Sequence, residues 1–423
     1  MIQNININSN INLHYIPQKK LKTTTVGVYI RRPLNDAEAS YNALLPYVLK
    51  SGCRLCADTE MIAKYLENLY GASLGAAVIK HGETQLMYFD AEVISDKYSP
   101  QGEPLLEKLT ELLLSVLFEP ITENGVFRAD FVEREKVIAL NRIEAAKNDK
   151  RTYASERCKE EMCEGEAFAV SRLGTRVGIE KIDEKSLYEY YTNMIKSSAI
   201  DIYICGDANI ETASDKIREK ISTIEFNAAK EITTDILKHE RDIKNVTERM
   251  DVVQGKLSMG FTTDTKVTDS DFCALMVMNS VFGAGAHSKL FNNVREKLSL
   301  AYYASSQLEK YKGLLVVNSG IEFDNFQKAY DEILAQLECI RNGEISDLEF
   351  DSSISSILNG LESLKDDQRA MQSYYLGEML SNTNMDIEEK KRAIKNVTKA
   401  DVIAVSKKLR LDTVYFLAGK EEK

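Results

Sequence analysis

Hydrophobic positions along the chain change period repeatedly, and the changes fall in the same order twice. The first half opens on alternating strand patterns at INLHYIPQ and TTTVGVYIRR (residues 23–32). Helical spacing follows near 41–50 and again over EMIAKYLENLY (60–70), with Asp58 or Thr59 placed to cap the second helix and Gly71 to stop it. Strand patterns return at 74–80 and 84–93. Long helical runs occupy 104–117 and 131–149, and the half closes on a helix beginning near Asp183 and the strand AIDIYICGDA (199–208).

The second half repeats that sequence of elements. Strand signals at 254–263 lead to a helix over FCALMVMNSVFG (272–283), then to strands at 300–308 and 313–322. Helices follow at 326–343, capped by Asp324, and at 347–367. A capping-box pattern at Thr398 and Asp401 opens a helix over 398–409, before a last strand, TVYFLAGKE (413–421). The two closing strands lie about half a chain apart. A charged linker, 211–245, separates the halves. Strands and helices come in runs rather than in strict alternation, which predicts an α+β fold: two homologous halves, 1–215 and 246–423, each an antiparallel-rich sheet with helices packed on one face.

Composition narrows the function classes. The chain has 423 residues, 44% of them hydrophobic, enough for a substantial core. Its net charge of −11 argues against a nucleic-acid partner, which needs clustered Lys and Arg. The longest apolar stretch, LTELLLSVLF (109–118), is too short to span a bilayer, and the N-terminus has no signal-peptide pattern, so a cytoplasmic protein with free thiols is expected. Cys53 and Cys56 have half of a zinc-site spacing, but Cys158 and Cys163 do not supply the other half. His14, His81, His239 and His287 have no metal-ligand spacing either. There is no P-loop, no dinucleotide fingerprint at Gly283-Ala-Gly285 and no serine nucleophile elbow.

One segment carries more chemistry: FGAGAHSKLFNNVREKLSLAYYASS, 282–306. Its glycines end a helix, a short helix delivers Arg295, and a strand begins at Tyr302. A guanidinium fork of donors and a phenol able to donate to a developing oxyanion lie seven residues apart and can serve one site. The same two residues also suit an exposed arginine and a half-buried tyrosine.

This segment resembles the signature of the pitrilysin-like zinc peptidases, of the form GGG-x-S-S-x-L-F-x-x-x-R-x-x-x-G-L-A-Y, with Arg295 and Tyr302 at the family's Arg and Tyr positions. The resemblance implies two similar halves, and, in bacterial members, two chains paired into one chamber. The family's zinc motif, H-x-x-E-H, falls on residues 42–46, which read Asn-Ala-Leu-Leu-Pro: Asn42 and Pro46 replace the histidines and Leu45 the glutamate base. The distant Glu ligand falls near Leu140, and Gly75 replaces an Asn often used to hold substrate. The resemblance therefore implies a subunit without zinc, inactive alone. It would bind peptide and lend Arg295 and Tyr302 to a zinc-bearing paralogue in a heterodimer. The alternative is a non-catalytic peptide-binding or assembly subunit.

Overall fold

The computed structural model describes residues 2–238 and 241–420. Thirteen strands are present among them: β1 (Gln3–Asn6), β2 (Ile11–Pro17), β3 (Thr23–Pro33), β4 (Ser73–His81), β5 (Thr84–Ile94), β6 (Thr122–Glu123), β7 (Val126–Phe127), β8 (Ala199–Gly206), β9 (Lys244–Met250), β10 (Gly255–Thr262), β11 (Ala301–Glu309), β12 (Leu314–Ile321) and β13 (Arg410–Gly419). β6 and β7 form a small hairpin. The others build a six-stranded sheet, β1-β2-β8-β3-β5-β4, and a five-stranded sheet, β11-β12-β10-β13-β9.

Apart from the added β1, the two sheets have one topology. β2-β8-β3-β5-β4 corresponds strand for strand to β9-β13-β10-β12-β11. In each, the closing strand runs parallel to the opening one (β2 with β8, β9 with β13), and every other pairing is antiparallel. The fold is thus the α+β arrangement of two like halves that the periodicity predicts, except that each sheet carries helices on both faces rather than on one.

Contacts divide the chain into two compact units. The first comprises Met1–Glu144, Val170–Thr233 and Leu364–Leu376; the second comprises Ala145–Ala169, Thr234–Ser363 and Gly377–Lys423. Compared with a division at the linker, two segments are exchanged, each lending a helix to the other half's sheet.

In the first unit Val26, Val28 and Ile30 of β3, with Ile200, Ile202 and Ile204 of β8, point into a core roofed by several helices. Leu44, Leu45 and Val48 come from the helix Asp36–Leu49, and most of the Leu105–Phe118 helix lies in the same core. The opposite face of β3 carries Thr23, Thr25 and Gly27. There the exchanged segment docks through amide hydrogen bonds: Gln368 Nε2 donates to the Thr23 carbonyl at 2.7 Å and Gln372 Nε2 to Thr25 Oγ1 at 2.8 Å. A Cβ on Gly27 would lie 2.3 Å from Gln372 Oε1, so a larger residue there would have to push the buried Gln372 amide aside.

The second unit uses the same device. Its main core joins Leu257, Met259 and Phe261 of β10 to the helices Phe272–Phe282 and Phe326–Arg341. On the other face the helix Lys150–Met162 buries Ala154, Cys158 and Met162, one residue per turn, against Leu314, Val316, Tyr415 and Leu417. Gly260 of β10 makes room, since a Cβ there would meet Met162 Sδ at 2.1 Å.

Several expected boundaries shift. The run 131–149 is a helix, Ala129–Ala146, followed by a new one that Asp149 caps through Arg151 N and Thr152 N. The helix at 326 is preceded by Asn325, without a side-chain cap, rather than capped by Asp324, and the helix at 347 ends at Ser363. The linker contains a helix, Ile210–Ile221, and ends on β9. Asp58, Asp183 and Thr398 do cap their helices. No helix among the described residues is long and apolar enough to cross a membrane.

Candidate functional site

Residues 42–46 lie on the helix Asp36–Leu49, which Asn35 caps by accepting from Glu38 N at 2.9 Å. This helix follows β3, as the helix Phe272–Phe282 follows β10. Asn42 and Leu45 are fully buried and Pro46 is buried with them. Where a first metal ligand would stand, Asn42 Nδ2 donates to Gln85 Oε1 at 2.9 Å and Asn42 Oδ1 accepts from the Tyr190 hydroxyl at 2.6 Å. Gln85 Nε2 in turn donates to the carbonyls of Ala39 (3.2 Å) and Arg172 (2.8 Å). Tyr190 also reaches Glu38 Oε2 at 3.0 Å, and that carboxylate is paired with Arg32. Burial, then the Glu38 charge, holds the Tyr190 phenol well above its ordinary range, so it remains a neutral donor.

This network is a closed plug of amides and one phenol, and the residues do not fit zinc. Leu45 belongs to the apolar core and Pro46 has no donor atom to offer a metal. Leu140, at the place of the distant ligand, packs half-buried on the same core. The Arg142 guanidinium lies 3.6 Å from the centre of the Tyr47 ring, a positive charge that opposes a cation. The space bounded by Ala43, Tyr47, Val78, Ala139, Arg142 and Leu173 is about 10 Å³, hardly one water. Among the described residues no group of three or more His, Cys, Asp and Glu is gathered as a metal requires.

Gly75 has its own local reason. It faces Asp90 across β4 and β5, and a Cβ there would lie 2.3 Å from Asp90 Oδ1. Asp90 is fixed by Arg369 at 2.9 Å, and Arg369 also binds Glu92 at 2.6 Å. A side chain at 75 would break into that ion-pair cluster.

The remaining candidates have structural partners. His14 bridges Asn4 (2.8 Å) and Asp201 (3.1 Å), and His287 Nε2 lies between the hydroxyls of Ser280 and Ser353. His239 lies outside the described residues. All seven cysteines are free, with Cys53 and Cys56 in the first unit's core and Cys158 and Cys163 in the core beneath the helix Lys150–Met162. Burial raises the Cys56 thiol to about 11, which marks it as unreactive.

The 282–306 segment is open by contrast. Arg295 sits on a wide helical turn, Leu290–Lys297, wound as a π-helix, a form often found at functional sites. Its guanidinium rests over Phe291 at 4.7 Å and pairs with Glu296 at 3.4 Å. Ser299 then adopts φ +49°, a left-handed conformation that costs an L-residue energy and costs glycine little. This is the position where the family signature has glycine. Ala301 faces Ile321 and Tyr303 faces Gly320, so Tyr302 is the extra residue of a β-bulge on the edge strand β11. The bulge turns the ring out of the pleat, and Tyr302 is 62% exposed. Its hydroxyl donates to Glu322, which holds the phenol above its ordinary range. Each residue is thus held by a local partner rather than by the other. The sequence singles out Arg295 and Tyr302 as candidates but gives no sign of Glu322, Gln85 or Tyr190. Only pairing across strands and helices brings those three into place.

The comparisons with known proteins converge on one assignment. A probable inactive metalloprotease of Bacillus subtilis, YmfF, is 35% identical over 415 residues, covering 96% of each chain. The chain belongs to the peptidase M16, or pitrilysin-like, family. The family model "Peptidase M16 inactive domain" matches residues 181–357 of this M16 chain. An uncharacterized zinc protease of B. subtilis, YmxG, is 25% identical over 183 residues, 43% of this chain and 44% of its own. A conserved protein from Enterococcus faecalis has a crystal structure that superposes with TM-score 0.92 at 29% identity, over 100% of this chain and 99% of that one. The fold also recurs in a peptidase M16 inactive domain from Pseudomonas fluorescens, with TM-score 0.81 at 18% identity and coverage of 100% and 98%. This chain is an M16 member whose residues 42–46 read Asn-Ala-Leu-Leu-Pro.

Proposed function

We propose that this chain is the zinc-ligand-lacking subunit of a two-chain, cytoplasmic M16 peptidase. It binds a peptide and supplies Arg295 and Tyr302 to the active site of a zinc-bearing M16 paralogue, with which it forms a heterodimer. The observation that carries the reading is an asymmetry within the chain. The metal helix is sealed by the Asn42–Gln85–Tyr190 plug, whereas the bulge on β11 presents Tyr302 outward.

The zinc belongs to the partner; this chain's contribution is to bind and to donate. When the scissile carbonyl is attacked, negative charge develops on its oxygen. A neutral phenol can donate to that oxygen without adding a buried charge, and such a donor acts on the transition state more than on the ground state. The Arg295 fork suits a neighbouring substrate carbonyl and fixes the register of the peptide.

The test is purification of the native complex from cells carrying a tagged copy of this chain, followed by zinc analysis and peptide cleavage. A co-eluting chain with about one zinc and activity absent from either chain alone is the expected result. In that complex Tyr302→Phe is expected to lower kcat by roughly 10²–10³ at nearly unchanged KM. Arg295→Ala is expected to damage both constants. Variants that assemble and cleave at wild-type rates would make the chain a peptide-binding or assembly subunit instead.

A further inference from the structure

A tyrosine hydroxyl has one proton to give. In this structure that proton is directed at Glu322, and the consequence for a residue meant to serve as a donor follows from what surrounds the pair. Glu322 comes directly after Ile321, the residue that faces Ala301 across β11 and β12, so the carboxylate stands beside the bulge that carries Tyr302. Among the described residues no lysine or arginine is ion-paired with Glu322, and the Tyr302 hydroxyl is the donor it holds. Both side chains are exposed, so this hydrogen bond, rather than packing, sets the direction of the hydroxyl. A phenol donating to an uncompensated carboxylate turns its lone pairs, not its proton, toward an incoming carbonyl. The carboxylate also puts negative charge beside the place where an oxyanion would form.

We propose that Glu322 is a positioning residue that latches Tyr302 in a donor-withdrawn state, and that a bound peptide must exchange Glu322 for its own carbonyl oxygen before Tyr302 can act. This deepens the reading of the chain as a donor-supplying subunit and rests on it. No bond is made or broken in the exchange: the phenolic proton stays on Tyr302 and changes only its acceptor.

Two measurements test the latch. The first needs no partner. With 3-fluorotyrosine placed at 302 in the full chain, the ¹⁹F shift reports ionisation of that phenol. Its midpoint is expected to be higher in the parent chain than in Glu322→Ala, because the carboxylate favours the protonated phenol. Equal midpoints would overturn the latch even if the complex is an active peptidase. The second uses the co-purified complex and a fluorogenic peptide. Glu322→Ala is expected to raise kcat/KM about three- to tenfold, the effect of releasing one exposed hydrogen bond, and to change nothing in a Tyr302→Phe background. A fall in kcat/KM, or an equal rise in the Phe background, would refute the latch while leaving the functional reading standing. If Tyr302→Phe alone leaves cleavage unchanged, the functional reading fails, and the latch fails with it.

Discussion

Replacing Asn42 by alanine tests whether the Asn42–Gln85–Tyr190 network serves as a structural plug. The side chain is fully buried and makes two hydrogen bonds, to Gln85 Oε1 at 2.9 Å and from the Tyr190 hydroxyl at 2.6 Å. Tyr190 retains Glu38 as an acceptor at 3.0 Å, so its loss is partial. Gln85 is fully buried too, and its Oε1 loses the Asn42 donor, at about 1–3 kcal/mol for an unsatisfied buried group. Adding the weakened tyrosine contact, about 0.5–1 kcal/mol, the substitution should destabilise the protein by about 1.5–4 kcal/mol. The assay is urea unfolding followed by far-UV circular dichroism and tyrosine fluorescence, since the chain has no tryptophan. Tyr190→Phe should cost about 1–2 kcal/mol. The double variant should cost less than the sum, because both changes remove the same bond. In Asn42→His, excess zinc should leave the midpoint unmoved, since Leu45 and Pro46 provide neither base nor second ligand. A loss below about 0.5 kcal/mol, the usual scale of a neutral surface change, or zinc-dependent stabilisation of Asn42→His, would refute the plug.

Three further outcomes follow from the packing. Gly27→Ala should destabilise by about 1–3 kcal/mol through overpacking against buried Gln372, and Gln372→Ala should recover part of that loss in the double variant; additive costs would deny the contact. Ser299→Gly should stabilise by about 0.5–1 kcal/mol, the left-handed penalty of roughly 1–2 kcal/mol less the flexibility of glycine, read as a raised thermal midpoint. Asp149→Ala should cost about 1 kcal/mol at neutral pH through the lost helix cap. Hydrogen bonds from the Thr152 side chain and backbone hold the Asp149 carboxyl below its ordinary 3.8, so its contribution is present above that pH and fades as the pH falls below it; a cost that stayed constant down to pH 2 would contradict the capping role.

The chain's own pattern determined much of this protein. Alternation places Val26, Val28 and Ile30 on one face of β3, and the equivalent residues of β10 on one face of the second sheet, because side chains alternate across a strand whatever the surroundings. The doubled order of elements therefore revealed two like halves. Local chemistry at Asp58, Asp183 and Thr398 marked helix starts, since a cap needs only the first turn. That residues 42–46 offer no metal ligands at Leu45 and Pro46 was equally legible, because neither side chain carries an atom that can bind a metal.

What tertiary structure decided is where buried surfaces are narrow or polar. The helices Lys150–Met162 and Gln368–Leu380 have no broad apolar stripe. One buries a single residue per turn, and the other docks through Gln368 and Gln372, so periodicity did not set them apart or show which sheet they cover. β9 carries no apolar run of its own, because it is an edge strand with alternating exposed and half-buried residues. Gln85, Tyr190 and Glu322 carry no local signal at all: each acquires its role from a partner 20 to 148 residues away, which only the folded chain brings within hydrogen-bond reach.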